Sequence, residues 1–178
     1  MSRQYFMDVL AEPPLANLAA ITATTETALW SAAEYTPIAA RDARPGKMYR
    51  VTAGGIVSFA TTGTLIITPR LGLTVSGITL GANAAQTVQG VAVNNVPWVL
   101  DFTLVVRTLG VAGANSTVIG SGSFTAQGSG AANTGMSCCF GGTSATVDLT
   151  VATGLTFGWT LSVAGSVTPQ YAFIQSLN

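Results

Sequence analysis

Val96-Pro97-Trp98-Val99-Leu100-Asp101-Phe102-Thr103-Leu104-Val105-Val106-Arg107-Thr108-Leu109-Gly110 is the stretch from which the fold follows. Trp98, Leu100, Phe102, Leu104 and Val106 recur at every second position. A period of two places those side chains on one face of an extended strand. Val99, Asp101, Thr103, Val105 and Arg107 take the other face. That face is mixed, suited to solvent, to a neighbouring subunit, or to a second core holding one ion pair. Pro97 stands near the strand's start, where a missing N–H costs least, and the β-branched and aromatic residues fit a pleated sheet. Most strands run about five or six residues, so this longer one is expected to be central, with the others built around it.

Working outward, residues 48–52 and 56–60 read as strands hinged at Gly54-Gly55, a pair that suggests a bulge or a hairpin. Residues 65–71 form another strand, and Pro69 within it predicts a sheet edge or an exit from the sheet. Residues 73–80 are a shorter extended piece, and residues 87–93 a weak strand. Beyond the central strand, Val118, Gly120, Gly122 and Phe124 alternate with Ile119, Ser121, Ser123 and Thr125. Residues 128–142 read as a small-residue loop with Met136 and Phe140 as anchors. Val147, Leu149 and Val151 alternate next, and then Leu155, Phe157, Trp159, Leu161 and Val163. Tyr171, Phe173, Gln175 and Leu177 share one side of a closing strand. Roughly eight to ten strands with turn signals about every ten residues predict a sandwich or barrel. No Asn-Gly or Asp-Gly hairpin signal occurs, which disfavours an up-and-down barrel. The expected fold is an all-β jelly-roll β-sandwich of about eight strands with Greek-key connections.

Only 8% of the 178 residues are charged, and seven basic residues balance seven acidic ones. Soluble domains carry about a quarter charged residues. Burial of surface in an assembly explains the deficit best, because obligate interfaces lose charged residues. A membrane span is not expected. The charge-free residues 149–178 are broken by Gly, Pro and Thr and alternate as strands do. Asp8, Glu12 and Pro13-Pro14 interrupt the apolar core that a signal peptide needs. Cys138 and Cys139 are adjacent and are expected to be free thiols in a protein maturing in a reducing cytosol.

The chain contains no histidine, which removes Ser-His-Asp and Cys-His nucleophile systems and the commonest metal ligand. Two cysteines do not fill a zinc site, and no phosphate-binding loop or calcium loop is present. Asp101 and Asp148 are the acids of the strand region, with Arg107 or Arg70 as candidate partners. No set of residues fills named catalytic roles. The expectation is a protein without enzymatic activity, cofactor, metal or nucleic-acid partner.

Residues 1–28 differ from the rest. Pro13-Pro14 blocks a helix, yet Tyr5, Phe6, Met7, Leu10, Leu15, Leu18 and Ile21 are too apolar for a solvated tail. They predict an extended N-terminal arm that orders on a partner, ahead of a sandwich domain over residues 29–178. Residues 41–50 hold Arg41, Arg44, Lys47 and Arg50 against Asp42. Arg44-Pro45-Gly46-Lys47 is a turn, and its basic cluster is a candidate contact for an acidic partner surface. Deleting residues 1–28 is expected to abolish partner binding and leave the sandwich folded.

The runs Leu29-Trp30-Ser31, Tyr35-Thr36-Pro37-Ile38, the stretch from Asp42 to Ile56, the run from Thr64 to Gly72, Pro97-Trp98 and Val105-Val106-Arg107 resemble small structural proteins of tailed bacteriophages. The pattern, over residues 29–178, is similar to the jelly-roll decoration (cement) proteins of phage heads. That resemblance implies a virion protein assembled in the bacterial host cytoplasm. It would be bound to the major capsid protein on the outer head surface, with a homotrimer favoured over a dimer. It also implies Tyr5, Phe6, Leu10, Leu15, Leu18, Arg41, Arg44, Lys47 and Arg50 as contacts to the shell or to neighbouring subunits. A phage tail, fibre or baseplate module and a carbohydrate-binding jelly roll for host-surface adhesion stay open as alternatives. A sugar binder should present exposed aromatics, whereas Trp98 and Trp159 lie in apolar rows that suit a core.

Overall fold

A computed structural model of the chain describes residues 7–11, 17–30, 38–40, 42–60, 63–72, 74–82, 85–88, 93–111, 116–127 and 136–177. Its elements are all strands: β1 (Met7–Ala11), β2 (Thr27–Ala28), β3 (Met48–Phe59), β4 (Gly63–Leu71), β5 (Ile78–Thr79), β6 (Gln86–Val88), β7 (Val93–Thr108), β8 (Ser116–Ala126), β9 (Met136–Val147), β10 (Leu155–Leu161) and β11 (Gly165–Leu177). They form two antiparallel sheets, a β-sandwich. The first runs β1-β11-β3-β7-β8-β9; the second runs β2-β10-β4-β5, with β6 also paired to β4.

The predicted central strand is β7, 16 residues long and flanked by β3 and β8. Its period-two row faces the second sheet, with Trp98, Leu100, Phe102, Leu104 and Val106 all buried. Phe157 and Trp159 of β10 meet that row. Phe157 lies edge-on to Phe102 at 5.3 Å, and Trp159 sits 5.1 Å from Trp98. Trp98 Nε1 donates to the Ile56 carbonyl at 3.2 Å. The indole therefore buries its ring and still satisfies its N–H.

Gly54-Gly55 makes neither a hairpin nor a bulge in its own strand. β3 runs straight through, and the extra residue lies on β11, between Pro169 and Tyr171. A Cβ on Gly55 would collide with the Thr168 carbonyl, so the glycine admits a partner backbone that bulges toward it. Pro69 keeps its place in β4 because its carbonyl accepts from Leu80 at 2.9 Å. N and O of one strand residue point the same way, so the missing N–H faces the fragmentary β5 side and not β10.

Residues 136–142, expected to be loop, belong to β9. Gly141, Gly142 and the serines have little strand propensity, and tertiary pairing with β8 overrides it. Cys138 lies opposite Phe124, and Phe140, the expected anchor, stacks on Phe102 at 5.9 Å. Strand alternation sends Cys138 inward and Cys139 to the surface, both as free thiols.

The described part of residues 1–28 is not a detached arm. β1 pairs with the 174–177 end of β11. Farther along the same edge, Leu18 N–H donates to Pro169 O at 2.9 Å, and Ile21 and Val167 exchange bonds of 2.8 and 2.9 Å. The segment then crosses to the second sheet, where β2 pairs with β10. Glu26 continues the cover: its carboxylate occupies the space of a Gly158 Cβ and holds Arg70 Nε and Nη2, each at 2.6 Å. Two sheet edges that would otherwise present open backbone groups are closed in this way.

Candidate functional site

The expected contact residues divide sharply. Tyr5, Phe6, Leu15 and Arg41 lie outside the described residues, and Leu10 sits in β1 at the shift in register between Val9 and Ala11. Leu18 is a core residue, 6% exposed, and so is no outward contact. Lys47, at 7%, is also turned inward. Its Nζ meets the Asp42 carboxylate at 2.5 Å, and Tyr49 Oη donates to the same carboxylate at 3.1 Å. Lys47 therefore closes its own turn. An ammonium this far from water needs a paired carboxylate, which ties it to the fold and not to a partner.

Arg44 and Arg50 do lie outward, at one end of the first sheet. The turn is fixed there by Lys47 N–H to Arg44 O at 2.9 Å and Gly46 N–H to Val106 O at 2.8 Å. Arg50 grips Asp101 across β3 and β7 through Nε and Nη2. Hydrogen bonding to that carboxylate, then its charge, raises the Arg50 pKa above its ordinary value. Both groups stay nearly half exposed, so the pair contributes at most about 1 kcal/mol. Asp101 thus pairs with Arg50, and Arg70 with Glu26. Desolvation opposes the rise that the Glu26 hydrogen bonds cause in the Arg70 pKa.

The register builds a feature that no local pattern reveals. Leu177, Met48, Val105 and Ile119 stand opposite one another across β11, β3, β7 and β8. All four are on the outer face and partly or fully exposed, Met48 at 36%. Past the end of β7, Leu109 and Val111 are exposed as well, at 44% and 78%. The row is therefore an apolar strip beside Arg44, Arg50 and Arg107. The signal was present as single outward residues in four separate strands; only pairing aligns them.

Three rows along, Tyr171, Gly54, Val99 and Thr125 stand opposite one another. The Tyr171 ring lies across Gly54, in the space a Cβ would need. It stacks with Phe173 at 6.5 Å. A cavity of about 410 Å³ opens beside it, lined by Gly55, Pro97, Val99, Gln127, Gln170 and Tyr171 among others.

Among the described residues no group of three His, Cys, Asp or Glu side chains comes together. Asp42, Asp101 and Glu26 serve the ion pairs above, and Asp148 accepts from Thr150 N–H and Oγ1 at 2.9 and 2.6 Å. The described residues contain no helix long and apolar enough to cross a membrane. Comparison with protein-family models, with curated proteins and with solved structures finds no match to the chain.

Proposed function

We propose that this chain is a non-enzymatic structural protein of a bacteriophage virion, a decoration protein on the outer surface of the head. The observation that carries the reading is the apolar strip Leu177–Met48–Val105–Ile119 with arginines at its border. Interface cores are apolar, and Met and Arg are both enriched at interfaces. The low charge of the whole chain fits the same purpose. The partners are the major capsid protein and further copies of this chain, as a homotrimer. Many copies, each making modest contacts, stabilise a shell through multivalency. The nested pairing of β3 with β11 and of β4 with β10 supports a jelly-roll wrap for this part of the sandwich. The chain is assembled in the host cytoplasm and needs no cofactor.

The test is fractionation of virions into heads and tails, with quantitative mass spectrometry of the chain in each. Head association at a copy number comparable to the major shell protein is the expected result. A few copies on tails would move the function to a fibre or baseplate module, and absence from virions would end the proposal.

A further inference from the structure

We propose that the cleft beside Tyr171 binds a neutral saccharide unit of a surface glycan. The site lies apart from the apolar strip. Met48 and Gly54 are six residues apart on one strand, roughly 20 Å at the rise of a β-strand. The inference does not rest on the virion reading.

Three independent features of the chain shape the cleft. The first is the bulge at Gln170, which inserts one residue between Pro169 and Tyr171 and re-aims both Gln170 and Tyr171. The second is the pair Gly54-Gly55. Gly54 leaves room for the Tyr171 ring across the strand, and Gly55 leaves room for the bulged backbone. A side chain at either position would fill or displace the platform. The third is the composition of the wall. Pro97, Val99 and Tyr171 supply apolar surface; Thr125, Gln127 and Gln170 supply a hydroxyl and two amides. Among the described residues no charged side chain lines it.

That set of groups selects its ligand. The face of an aromatic ring is electronegative, so it attracts the polarised C–H bonds on one face of a pyranose. Amide side chains both donate and accept, which matches the paired donor and acceptor character of sugar hydroxyls. Gln127 and Gln170 are exposed, and among the described residues neither side-chain amide has a partner within the chain. Among the described residues an anionic sugar would find no cation here, and a purely apolar ligand would leave both amides unmet. The volume of about 410 Å³ falls in the range of small-molecule sites. The cleft is also open, as binding one unit of a longer glycan requires.

The experiment uses the full chain on an array carrying neutral and anionic oligosaccharides. The best neutral member is then titrated at millimolar concentration against the ¹⁵N-labelled protein. Retention of a neutral glycan is expected, with shifts in the side-chain amides of Gln127 and Gln170. Tyr171→Ala and Gln170→Ala should each weaken binding about tenfold, the scale of one aromatic or hydrogen-bonding contact. Gln170 is exposed, so its variant keeps the fold even if Tyr171→Ala does not. Ile78→Ser, exposed on the second sheet, should leave sugar binding unchanged. The proposal is overturned if the array retains no neutral glycan, if only anionic glycans bind, or if Gln170→Ala binds as well as the parent chain. Shifts at these residues that depend on protein concentration and not on sugar would also overturn it, by assigning the cleft to a second copy.

Discussion

Ile21→Ala tests whether the N-terminal segment is part of the sandwich or an appendage to it. Ile21 is 3% exposed, and it exchanges two backbone hydrogen bonds with Val167. Alanine keeps both of those bonds, so the variant isolates the side chain. Truncating a buried Ile costs about 2–5 kcal/mol, the sum of lost transfer free energy and the cavity left behind. Ile21 sits on the edge strand's flank, where neighbours can close part of the void, so the lower half of that range applies, about 2–3 kcal/mol. For a domain of this size each kcal/mol moves Tm by about 2–4 °C, giving a fall of roughly 4–12 °C. The assay is thermal or urea unfolding followed by tryptophan emission, because Trp30, Trp98 and Trp159 are all buried. Removing residues 1–28 should do far more. It takes away Leu18, Ile21, β1, β2 and the Glu26 cover of Gly158 together, and loss of cooperative unfolding is the expected result. If Ile21→Ala changes stability by less than about 0.5 kcal/mol, the value typical of surface positions, and the truncated chain melts like the parent, the stitched-edge reasoning fails.

Three further outcomes follow from particular contacts. Burial, then the neighbouring Cys139, pushes the Cys138 thiol up to about 11. At pH 8 only about one molecule in a thousand would hold it as thiolate, so iodoacetamide should label the native chain once, at Cys139, and the guanidinium-unfolded chain twice, as peptide mass spectrometry would read. Gly158→Ala should eject the Glu26 carboxylate and break its grip on Arg70, at a cost of about 1–2 kcal/mol given the partial exposure of the pair. In a double-mutant cycle Glu26→Ala should then add little; full additivity would sink the account. Met48→Asp with Ile119→Asp should abolish self-association and head binding in light scattering and co-sedimentation, with Tm shifted by no more than a few degrees, since both side chains lie on the outer face.

The inward rows of β7 and β10 were legible because a period of two is a local property. Trp98 to Val106, and Leu155 to Leu161, announce which side meets the core without reference to any other strand. β9 was not legible, since Gly141, Gly142 and their small neighbours carry no strand preference of their own; the segment is extended because β8 pairs with it along its length. The candidate contacts divide on the same principle. Exposure of Arg44 and Arg50 suits a surface turn, but Lys47 and Leu18, equally plausible outward residues by type, are pulled in by Asp42 and by the edge of β11.

Composition and alternation by themselves determined that the chain is all-β, that it contains no histidine, and that Trp98 and Trp159 lie in apolar rows. Those conclusions depend only on which residue types occur and on their spacing along one strand. The tertiary structure alone decided strand order, the absorption of residues 17–30 into both sheets, and the two outer-face features. Leu177, Met48, Val105 and Ile119 are scattered over 130 positions of sequence. They become one strip because hydrogen-bond register, set by long-range pairing and shifted by the bulge at Gln170, chooses which residues stand side by side.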